Sequence, residues 1–206
     1  MRYDAAMKRY IAPVVLLLSA CATTAPDPTP NVVLDTELGE IEIEVYPEAA
    51  PASAGDFLMH VDGGLYDDQG FYRTVRADND PRGMGMSLIQ GGVLSQEPTT
   101  PPIPHERTTD TGIPNERGTV AIARLEPGTG SAGYFFINIG DNRFLDTGGE
   151  RNPDGEGYAT FGRVVRGMDV VEAIQSGDAN APSDDAVTNG QMLTNPIIIR
   201  RAYRVP

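Results

Sequence analysis

The segment VVLDTELGEIEIEVYPEAAP, residues 32–51, has the pattern of a β-hairpin followed by the start of a helix. From Ile41 to Val45, apolar residues alternate with glutamates, which is the period-two pattern of a strand with one buried face. Gly39 provides the turn before this strand, because glycine adopts a positive φ without steric cost. Pro51 favours the first turn of a helix, where its missing N–H is not needed. The segment therefore predicts a fold that begins with two strands and a helix.

Short strand patterns separated by Gly, Pro, Asn and Asp clusters make up most of the remaining chain. With 17 prolines and 23 glycines among 206 residues, the composition favours many turns over a helical bundle. Apolar residues at helical spacing predict a helix that begins at Pro51, and the glycine pair Gly63-Gly64 is expected to end it. A closed antiparallel barrel with one or two capping helices fits this pattern, because closure leaves no exposed sheet edge. Beyond the hairpin, strands are predicted at Gly70–Arg76, Met84–Gln90, Thr119–Arg124, Tyr134–Ile139, Tyr158–Val165 and Pro196–Arg204, and a second helix at Met168–Gln175.

Residues 1–20 have the pattern of a secretory signal peptide and are excluded from the predicted fold. Basic residues precede an apolar run from Ile11 to Leu18, which is roughly half the length that a membrane span needs. The run ends in the tetrapeptide LSAC, which closes with Cys21 and resembles the lipobox of bacterial lipoproteins. In that motif the chain is cleaved before the cysteine, and the cysteine is lipidated. The alternative is that Cys21 is an incidental cysteine after an ordinary signal peptide.

If Cys21 is lipidated, residues 21–31 form a lipidated cysteine and a flexible tether rich in Pro and Thr, and residues 32–206 form the folded domain. The protein is then expected in the bacterial cell envelope, held to a membrane through Cys21 and facing the periplasm. Because Ala22 is not an aspartate, the outer membrane is the expected one.

Charge and composition exclude several kinds of partner and chemistry. The formal net charge of −13 argues against nucleic acid, because phosphate binding needs a basic face. Cys21 is the only cysteine, so the folded domain has neither disulfides nor thiol catalysis. His60 and His105 lie in unrelated segments, and the glycine-rich run at 128–133 precedes a predicted strand, where a dinucleotide site needs a helix. The sequence therefore predicts no metal and no cofactor.

One strand carries an arginine in an unusual setting. The run FYRTV, residues 71–75, places the permanently charged Arg73 among aromatic and β-branched residues that favour strands. Taken alone, this local sequence favours an exposed strand face with the arginine pointing to water.

Several segments, in the same order along the chain, resemble the cyclophilin family of peptidyl-prolyl cis-trans isomerases, in its bacterial periplasmic branch. Together they cover about residues 32–205. The resemblance implies a closed eight-stranded antiparallel β-barrel capped by two α-helices, an all-β dominated fold that agrees with the pattern. The matching segments are Gly70–Val75, Leu88–Gly92, Asn115–Arg124, Phe135–Asn138, Asp141–Asp146 and Phe161–Val171.

The resemblance also implies roles for individual residues. It makes Arg73 the principal catalytic residue, on the barrel surface beside an apolar pocket for the substrate proline, and it makes Gln90 a residue that binds the substrate backbone. The remaining implied substrate-binding residues are Leu88, Phe136 and Leu145 in the proline pocket, Ala123 and Arg124 through their backbone, and Tyr72, Phe144 and Tyr158 at further positions.

Three departures from the family pattern concern the site. Ser87 stands where a pocket phenylalanine is usual, and its register with Gln90 predicts that it faces a pocket that is either wider or filled by Met86. Tyr134 replaces a usual glutamine. The segment Arg76–Gly85 is longer than in compact members and is expected to bulge beside the active face.

The sequence thus predicts cis-trans isomerisation of Xaa-Pro bonds in cell-envelope proteins, assisting their folding. The expected partners are proline-containing polypeptides and, through Cys21, a membrane, with the protein itself a monomer. Two alternatives stay open. One is a chaperone or scaffold that binds proline-containing chains with little catalysis, and the other is an isomerase-derived structural part of an envelope complex.

Overall fold

The structure is a computed structural model that describes residues 29–95 and 100–205. The predicted signal peptide over residues 1–20 and the predicted lipidation at Cys21 lie outside the described residues. In chain order the elements are β1 (Asn31–Thr36), β2 (Gly39–Val45), α1 (Pro51–Asp62), β3 (Gln69–Val75), β4 (Leu88–Gly92), α2 (Thr108–Thr111), β5 (Thr119–Ile122), β6 (Tyr134–Asn138), a 3₁₀ turn (Arg143–Leu145), β7 (Thr160–Arg166), α3 (Met168–Gln175) and β8 (Met192–Val205).

The eight strands close into one antiparallel barrel in the order β1-β2-β7-β5-β6-β4-β3-β8. β1 pairs with both β2 and β8, so the first and last strands of the described chain are neighbours. The longer helices lie against the barrel, with α1 packed on β7 and β8 and α3 packed on β2, β3 and β4. This confirms the predicted fold class. Within the described ranges, no helix combines the length and the apolar character that crossing a membrane requires.

The observed elements differ from the predicted ones mainly at their ends. α3 has the predicted bounds. The strand predicted at Met84–Gln90 is wrong in its first half, because pairing begins only at Leu88. Before that point the N–H of Met86 bonds to the carboxylate of Asp80 and not to a neighbouring strand. β8 begins earlier than predicted, at Met192, where it pairs with β3.

Four buried aromatic rings make up much of the barrel interior. Phe57 of α1 has its ring centroid 4.9 Å from that of Phe161, 5.4 Å from Tyr66 and 5.7 Å from Phe135. All four side chains are fully buried. The Tyr66 hydroxyl donates a hydrogen bond to the carbonyl of Ala132, so its one polar atom is satisfied inside the core.

β4 and β6 carry buried apolar residues on both of their faces. Ile89 of β4 and Ile137 of β6 belong to the cluster inside the barrel. Leu88 of β4 and Phe136 of β6, which point the opposite way, belong to a second apolar cluster on the outer surface of the barrel. This outer cluster positions the candidate site.

A β-bulge in β3 turns Arg73 towards the outer cluster. Phe71 is fully buried in the interior cluster, and in a regular strand Arg73, two residues later, would point the same way. Instead, the pairing of β3 with both of its neighbours shifts register between Phe71 and Arg73. The extra residue reverses the alternation, so Val75 lies in the outer cluster. The bulge explains how a strand with a buried aromatic residue also presents an arginine outside the barrel.

Candidate active site

The outer apolar cluster forms the floor of a groove with a volume of about 640 Å³. Met86, Leu88, Phe136 and Leu145 line it, and each is at most 4% exposed. Tyr158 packs edge-on against Phe136, with ring centroids 5.4 Å apart. A concave apolar floor of this kind suits a small apolar group of a ligand.

The guanidinium of Arg73 is held at the edge of this floor by two amide oxygens. Its Nη1 donates to Oε1 of Gln90 at 2.7 Å, while its Nε and Nη2 donate to Oε1 of Gln191 at 2.9 and 2.6 Å. Burial lowers the pKa of Arg73, and the positive charge of Arg151 lowers it further. Because an arginine stays protonated in proteins, the site keeps a fixed positive charge that no carboxylate among the described residues neutralises within 4 Å.

Gln90 links Arg73 to Tyr72. The Gln90 Nε2 donates to the Tyr72 hydroxyl at 2.9 Å, while its oxygen is occupied by Arg73. Burial raises the pKa of Tyr72 to about 12, so this hydroxyl is neutral at ordinary pH. The amide of Gln90 therefore has a fixed orientation, with its oxygen towards the arginine.

Gln191 is a residue of the site that the sequence analysis missed. It is fully buried, and its Nε2 donates to the carbonyl of Asn79 at 2.8 Å, which orients its oxygen towards Arg73. It lies in a polar turn just before β8, a context without any strand or motif signal. Gln191 meets Arg73 because Met192, the next residue, pairs with Arg73 across β3 and β8.

One wall of the groove is a stack of an arginine and an aromatic ring. The guanidinium of Arg124 lies 5.2 Å from the centre of the Tyr158 ring, pairs with Asp154 at 3.0 Å and donates to the carbonyl of Gly157 at 2.8 Å. Ala123, just after β5, uses its N–H to bond to β6, so this N–H is not free for a ligand. Arg124 is therefore a fixed part of the wall.

Eight of the ten residues predicted for the site line the groove directly. The other two, Tyr72 and Phe144, lie behind the lining: Tyr72 contacts it through Gln90, and Phe144 packs against the outer apolar cluster. The eight lining residues are Arg73, Leu88, Gln90, Ala123, Arg124, Phe136, Leu145 and Tyr158.

The prediction that Ser87 faces the pocket is wrong. Its Oγ accepts a hydrogen bond from Nε2 of Gln175 in α3 at 2.9 Å, so the side chain points towards the helix. The alternating register that placed Ser87 in the pocket does not apply, because β4 begins only at Leu88. Met86 lines the groove, which confirms the alternative expectation that it fills this space.

The long segment Arg76–Gly85 does lie beside the groove, folded around Asp80. The Asp80 carboxylate accepts backbone hydrogen bonds from Arg82 at 3.2 Å, Met84 at 2.9 Å and Met86 at 3.2 Å. Burial by itself raises the pKa of Asp80, but these backbone N–H groups outweigh it and hold the pKa below its usual value. The carboxylate thus organises the loop that brings Arg82 and Met86 to the groove.

A buried amide network supports the groove from the other side. Asn142 donates from Nδ2 to Oδ1 of Asn138 at 2.7 Å and to the carbonyl of Ser87 at 2.9 Å. Asn138 in turn donates to Asn115 at 3.2 Å and to Thr119 at 3.0 Å. The network ties the loop after β6 to β4 and β5, and so fixes the turn that carries Leu145.

Comparison with known proteins identifies one family. The family model described as cyclophilin type peptidyl-prolyl cis-trans isomerase/CLD matches residues 31–202. The chain is 33% identical over 202 residues to peptidyl-prolyl cis-trans isomerase A of Dickeya dadantii (strain 3937), covering 95% of this chain and 96% of the relative. It is 35% identical over 148 residues to peptidyl-prolyl cis-trans isomerase B of Escherichia coli (strain K12), covering 70% and 83% of the two chains.

Solved structures show the same fold. A cyclophilin type peptidyl-prolyl cis-trans isomerase of Cryptosporidium parvum, crystallised in the presence of the dipeptide Ala-Pro, aligns with a TM-score of 0.62 and 19% sequence identity. The alignment covers 85% of this chain and 99% of that one.

Proposed function

Since this chain belongs to the cyclophilin type of peptidyl-prolyl cis-trans isomerases and has that enzymatic activity, we propose that Arg73 is its catalytic residue and that it acts on proteins of the bacterial cell envelope. One observation carries the assignment of Arg73. Its guanidinium is fixed by the amide oxygens of Gln90 and Gln191 beside an apolar groove floor, and no carboxylate of residues 29–95 or 100–205 pairs with it.

The reaction suits a fixed cation. Rotation about a peptide bond has a barrier of about 18–20 kcal/mol, because resonance gives the C–N bond partial double-bond character. In the twisted transition state the proline nitrogen loses that resonance and gains a lone pair. A donor aimed at this nitrogen therefore binds the transition state more tightly than the planar ground state, which is the requirement for catalysis.

Arg73 retains donors for this purpose. A guanidinium has five N–H groups, and the bonds to Gln90 and Gln191 use three of them. The other two N–H groups make no hydrogen bond to the described residues and are available to a ligand in the groove. Because the planar fork is held at both ends, little conformational freedom is lost when one of them binds the proline nitrogen.

The other residues of the groove have supporting roles in this proposal. Phe136, Leu88, Leu145 and Met86 seat the prolyl ring, since they form a closely packed apolar floor. Gln90 orients Arg73 and contacts the substrate backbone. Arg124, Tyr158 and the Ala123 carbonyl border the path of the extended substrate.

The test of Arg73 is the rate of cis-trans exchange in a short Ala-Pro peptide, measured by exchange NMR. The wild-type protein is expected to accelerate the exchange. The Arg73→Ala variant is expected to catalyse it about 10²–10³ times more slowly. Truncation leaves the buried oxygen of Gln191 unpaired, so a loss of about 1–3 kcal/mol in unfolding free energy is also expected. Activities must therefore be compared at a temperature where both proteins are folded.

Arg200→Ala is the matched control, because Arg200 is a surface arginine of β8 that pairs with Asp35 at 3.6 Å. It is expected to keep wild-type exchange rates. Near-normal activity of Arg73→Ala would contradict the role given to this residue. A wild-type protein that binds the peptide without accelerating exchange would support the chaperone or scaffold alternative.

The proposed location rests on the sequence before the barrel. The apolar run that ends in LSAC and the single cysteine, Cys21, support cleavage of residues 1–20 and lipid attachment at Cys21. More than one acyl chain on a cysteine anchors a protein firmly, whereas a single chain gives only marginal binding. A 21–31 tether would then let the barrel reach periplasmic chains as they fold.

Cys21→Ser tests the anchor independently of catalysis. In a bacterial host, the wild-type protein is expected in the membrane fraction and in the detergent phase after phase partitioning. The variant is expected in the aqueous phase or as an unprocessed precursor. Recovery of the wild-type protein entirely in the aqueous envelope fraction would contradict lipid attachment, whatever the isomerase assay shows.

A further inference from the structure

We propose that Arg82 and Arg151 form an arginine subsite in the groove that binds a carboxylate side chain of the substrate, so that the enzyme prefers prolines flanked by Asp or Glu. This inference rests on the proposed function, because it places the peptide substrate in the groove beside Arg73. Its subject is the substrate class, which the family membership alone does not specify.

The groove carries the opposite charge to the protein as a whole. The formal net charge of the chain is −13. The described lining of the groove nevertheless includes Arg73, Arg82, Arg124 and Arg151, with Asp185 as its one acidic residue. Within the part of the chain that the structure describes, only Arg124 among these arginines has a carboxylate partner, Asp154 at 3.0 Å. The groove is therefore a basic cleft on an acidic protein.

Arg151 is the most informative of these residues, because most of it is buried while its guanidinium nitrogens remain open to the groove, without a carboxylate partner among the described residues. Its relative exposure is 8%, yet its guanidinium has no carboxylate within 4 Å and donates no hydrogen bond to any side chain or carbonyl of the described residues. Buried charges are normally paired, since an uncompensated charge is costly to desolvate. A carboxylate entering from the groove would supply the missing partner.

The positive charge of Arg151 also acts on its neighbours. Its field is one of the influences that lower the pKa of Arg73, which places the two cations close enough to repel each other. Like charges held together in a cleft favour an anion between or beside them. A bound substrate carboxylate relieves this repulsion between Arg73 and Arg151, and the relief adds to the favourable free energy of binding.

Arg82 adds a second guanidinium at the rim. Its Nη1 donates to the backbone carbonyl of Arg151, which positions the Arg82 head group over the Arg151 residue. The remaining side-chain N–H groups of Arg82 donate no hydrogen bond to the described residues, and Arg82 itself is exposed. Two neighbouring guanidinium groups provide the forked donors that a carboxylate binds in a bidentate way.

Asp80 also lies near Arg151, whose positive charge is one of the influences that lower the pKa of Asp80, but the Asp80 oxygens are already engaged. They accept the backbone N–H groups of Arg82, Met84 and Met86, and no nitrogen of Arg151 lies within 4 Å of them. Asp80 thus shapes the loop that carries Arg82 and leaves the guanidinium groups free. The side-chain nitrogen of Asn152, the next groove residue, also lacks a hydrogen-bond partner among the described residues.

Exchange NMR on five capped tetrapeptides tests the subsite without a coupling protease, whose own specificity would interfere. The peptides have the form Ala-Xaa-Pro-Yaa, with Ala at both variable positions, or Glu or Lys at one of them. For wild type, we expect kcat/KM for the better Glu peptide to exceed that of the matching Lys peptide about fivefold, with the ratio falling as salt is added.

Arg82→Gln and Arg151→Gln are each expected to reduce this Glu-to-Lys ratio towards one, whereas Arg200→Gln, a surface arginine of β8, is expected to leave it unchanged. Since Arg151 is buried and its variant could unfold, Arg82→Gln, at an exposed position, keeps the test decisive. A wild-type ratio near one, or an unchanged ratio in the folded variants, would overturn the subsite. Absence of exchange on the all-Ala peptide would instead overturn the proposed catalytic function.

Discussion

The arginines of the groove and those of the outer barrel surface differ in what holds them. Nine of the 13 arginines in the described residues pair with a carboxylate within 4 Å. Of the four that do not, Arg73, Arg82 and Arg151 line the groove, and Arg201 stacks over the Tyr203 ring at 5.4 Å. Most of the described arginines that lack a carboxylate partner therefore lie at the groove.

The difference teaches how an acidic protein keeps a cation ready for a ligand. On the outer surface, pairs such as Arg204 with Asp62 at 2.5 Å satisfy both partners within the protein. In the groove, neutral amide oxygens of Gln90 and Gln191 hold Arg73 in place without cancelling its charge. An amide fixes geometry, whereas a carboxylate would both fix it and compete with the substrate.

The same substitution in the two regions should have very different consequences. Arg73→Lys keeps the positive charge but removes the planar fork that bonds to Gln90 and Gln191. We expect kcat/KM for an Ala-Pro peptide to fall by about 10² or more. Arg200→Lys, its surface counterpart, should be indistinguishable from wild type in the same exchange assay. Retention of most activity by Arg73→Lys would mean that charge alone suffices and that the two glutamines are dispensable.

Gln191→Glu would give Arg73 a carboxylate partner, as most arginines of the outer barrel surface have. The introduced carboxylate should bind the guanidinium about 1–1.5 kcal/mol more tightly than the amide does, which predicts a loss of about tenfold in kcat/KM at pH 7 with stability maintained. The loss should shrink as pH falls and the introduced carboxyl becomes protonated and neutral. A purely structural role of Gln191 would not produce this pH dependence.

Gln69→Glu is the control for that experiment, because Gln69 lies at the start of β3 and bonds to the backbone N–H of Leu94, away from any arginine. Its pH–activity profile should match that of wild type. If Gln191→Glu retained full activity at pH 7, the argument that neutral partners keep Arg73 effective would be wrong.

Asp80→Asn should weaken the loop that supplies Arg82. An amide cannot accept three backbone N–H groups as the carboxylate does, and we expect a loss of about 1–3 kcal/mol in unfolding free energy. The pKa of Asp80 is lowered in the folded protein, so its ionised carboxylate adds its full contribution to the unfolding free energy above the unfolded-state pKa of about 4. The contribution is lost as pH falls through the lower folded-state pKa.

Urea unfolding of wild type and Asp80→Asn between pH 2 and pH 7 measures this effect. The stability difference should be largest at pH 7 and should shrink in acid. The Glu-to-Lys ratio of the variant should fall together with its loop order, since Arg82 would lose its position. A pH-independent difference would show that the Asp80 carboxylate does not organise the segment.

The smallest effect is expected for a surface pair. Arg204→Gln removes the ion pair with Asp62, which is partly exposed on both sides. Exposed pairs of this kind contribute about 0–1 kcal/mol, so the melting temperature should hardly change and the isomerase activity should not change at all. A loss of activity here would mean that the outer arginines are coupled to the groove, and would remove the basis for separating the two regions.

Local patterns in the sequence determined much of the architecture. Alternation over residues 41–45 predicted a strand with one buried face, and apolar spacing after Pro51 predicted α1, which ends just before Gly63 as expected. Both patterns arise because a side chain's direction repeats every two residues in a strand and every 3.6 in a helix. Arg73 and Gln90 could be assigned to the site from motifs that lie in single short segments.

Other features of the site depend on neighbours that are distant in sequence. Gln191 lies 118 positions after Arg73, in a turn without a local signal, and becomes its partner only because β8 pairs with β3. Met86, and not the predicted Ser87, lines the pocket. The reason is that the Asp80 carboxylate binds the backbone N–H of Met86 before β4 begins. The sequence alone predicted a continuous strand there, since alternation carries no information about side-chain competitors for backbone N–H groups.

The direction of Arg73 separates what the sequence determined from what the tertiary structure decided. The sequence by itself determined that a strand-forming segment carries this arginine and that the chain forms an antiparallel barrel. Whether Arg73 would share the face of Phe71 or oppose it was decided by the β-bulge between them, which is defined by the pairing of β3 with its neighbours β4 and β8. A bulge is a mismatch in length between paired strands, so it belongs to no single segment of the chain.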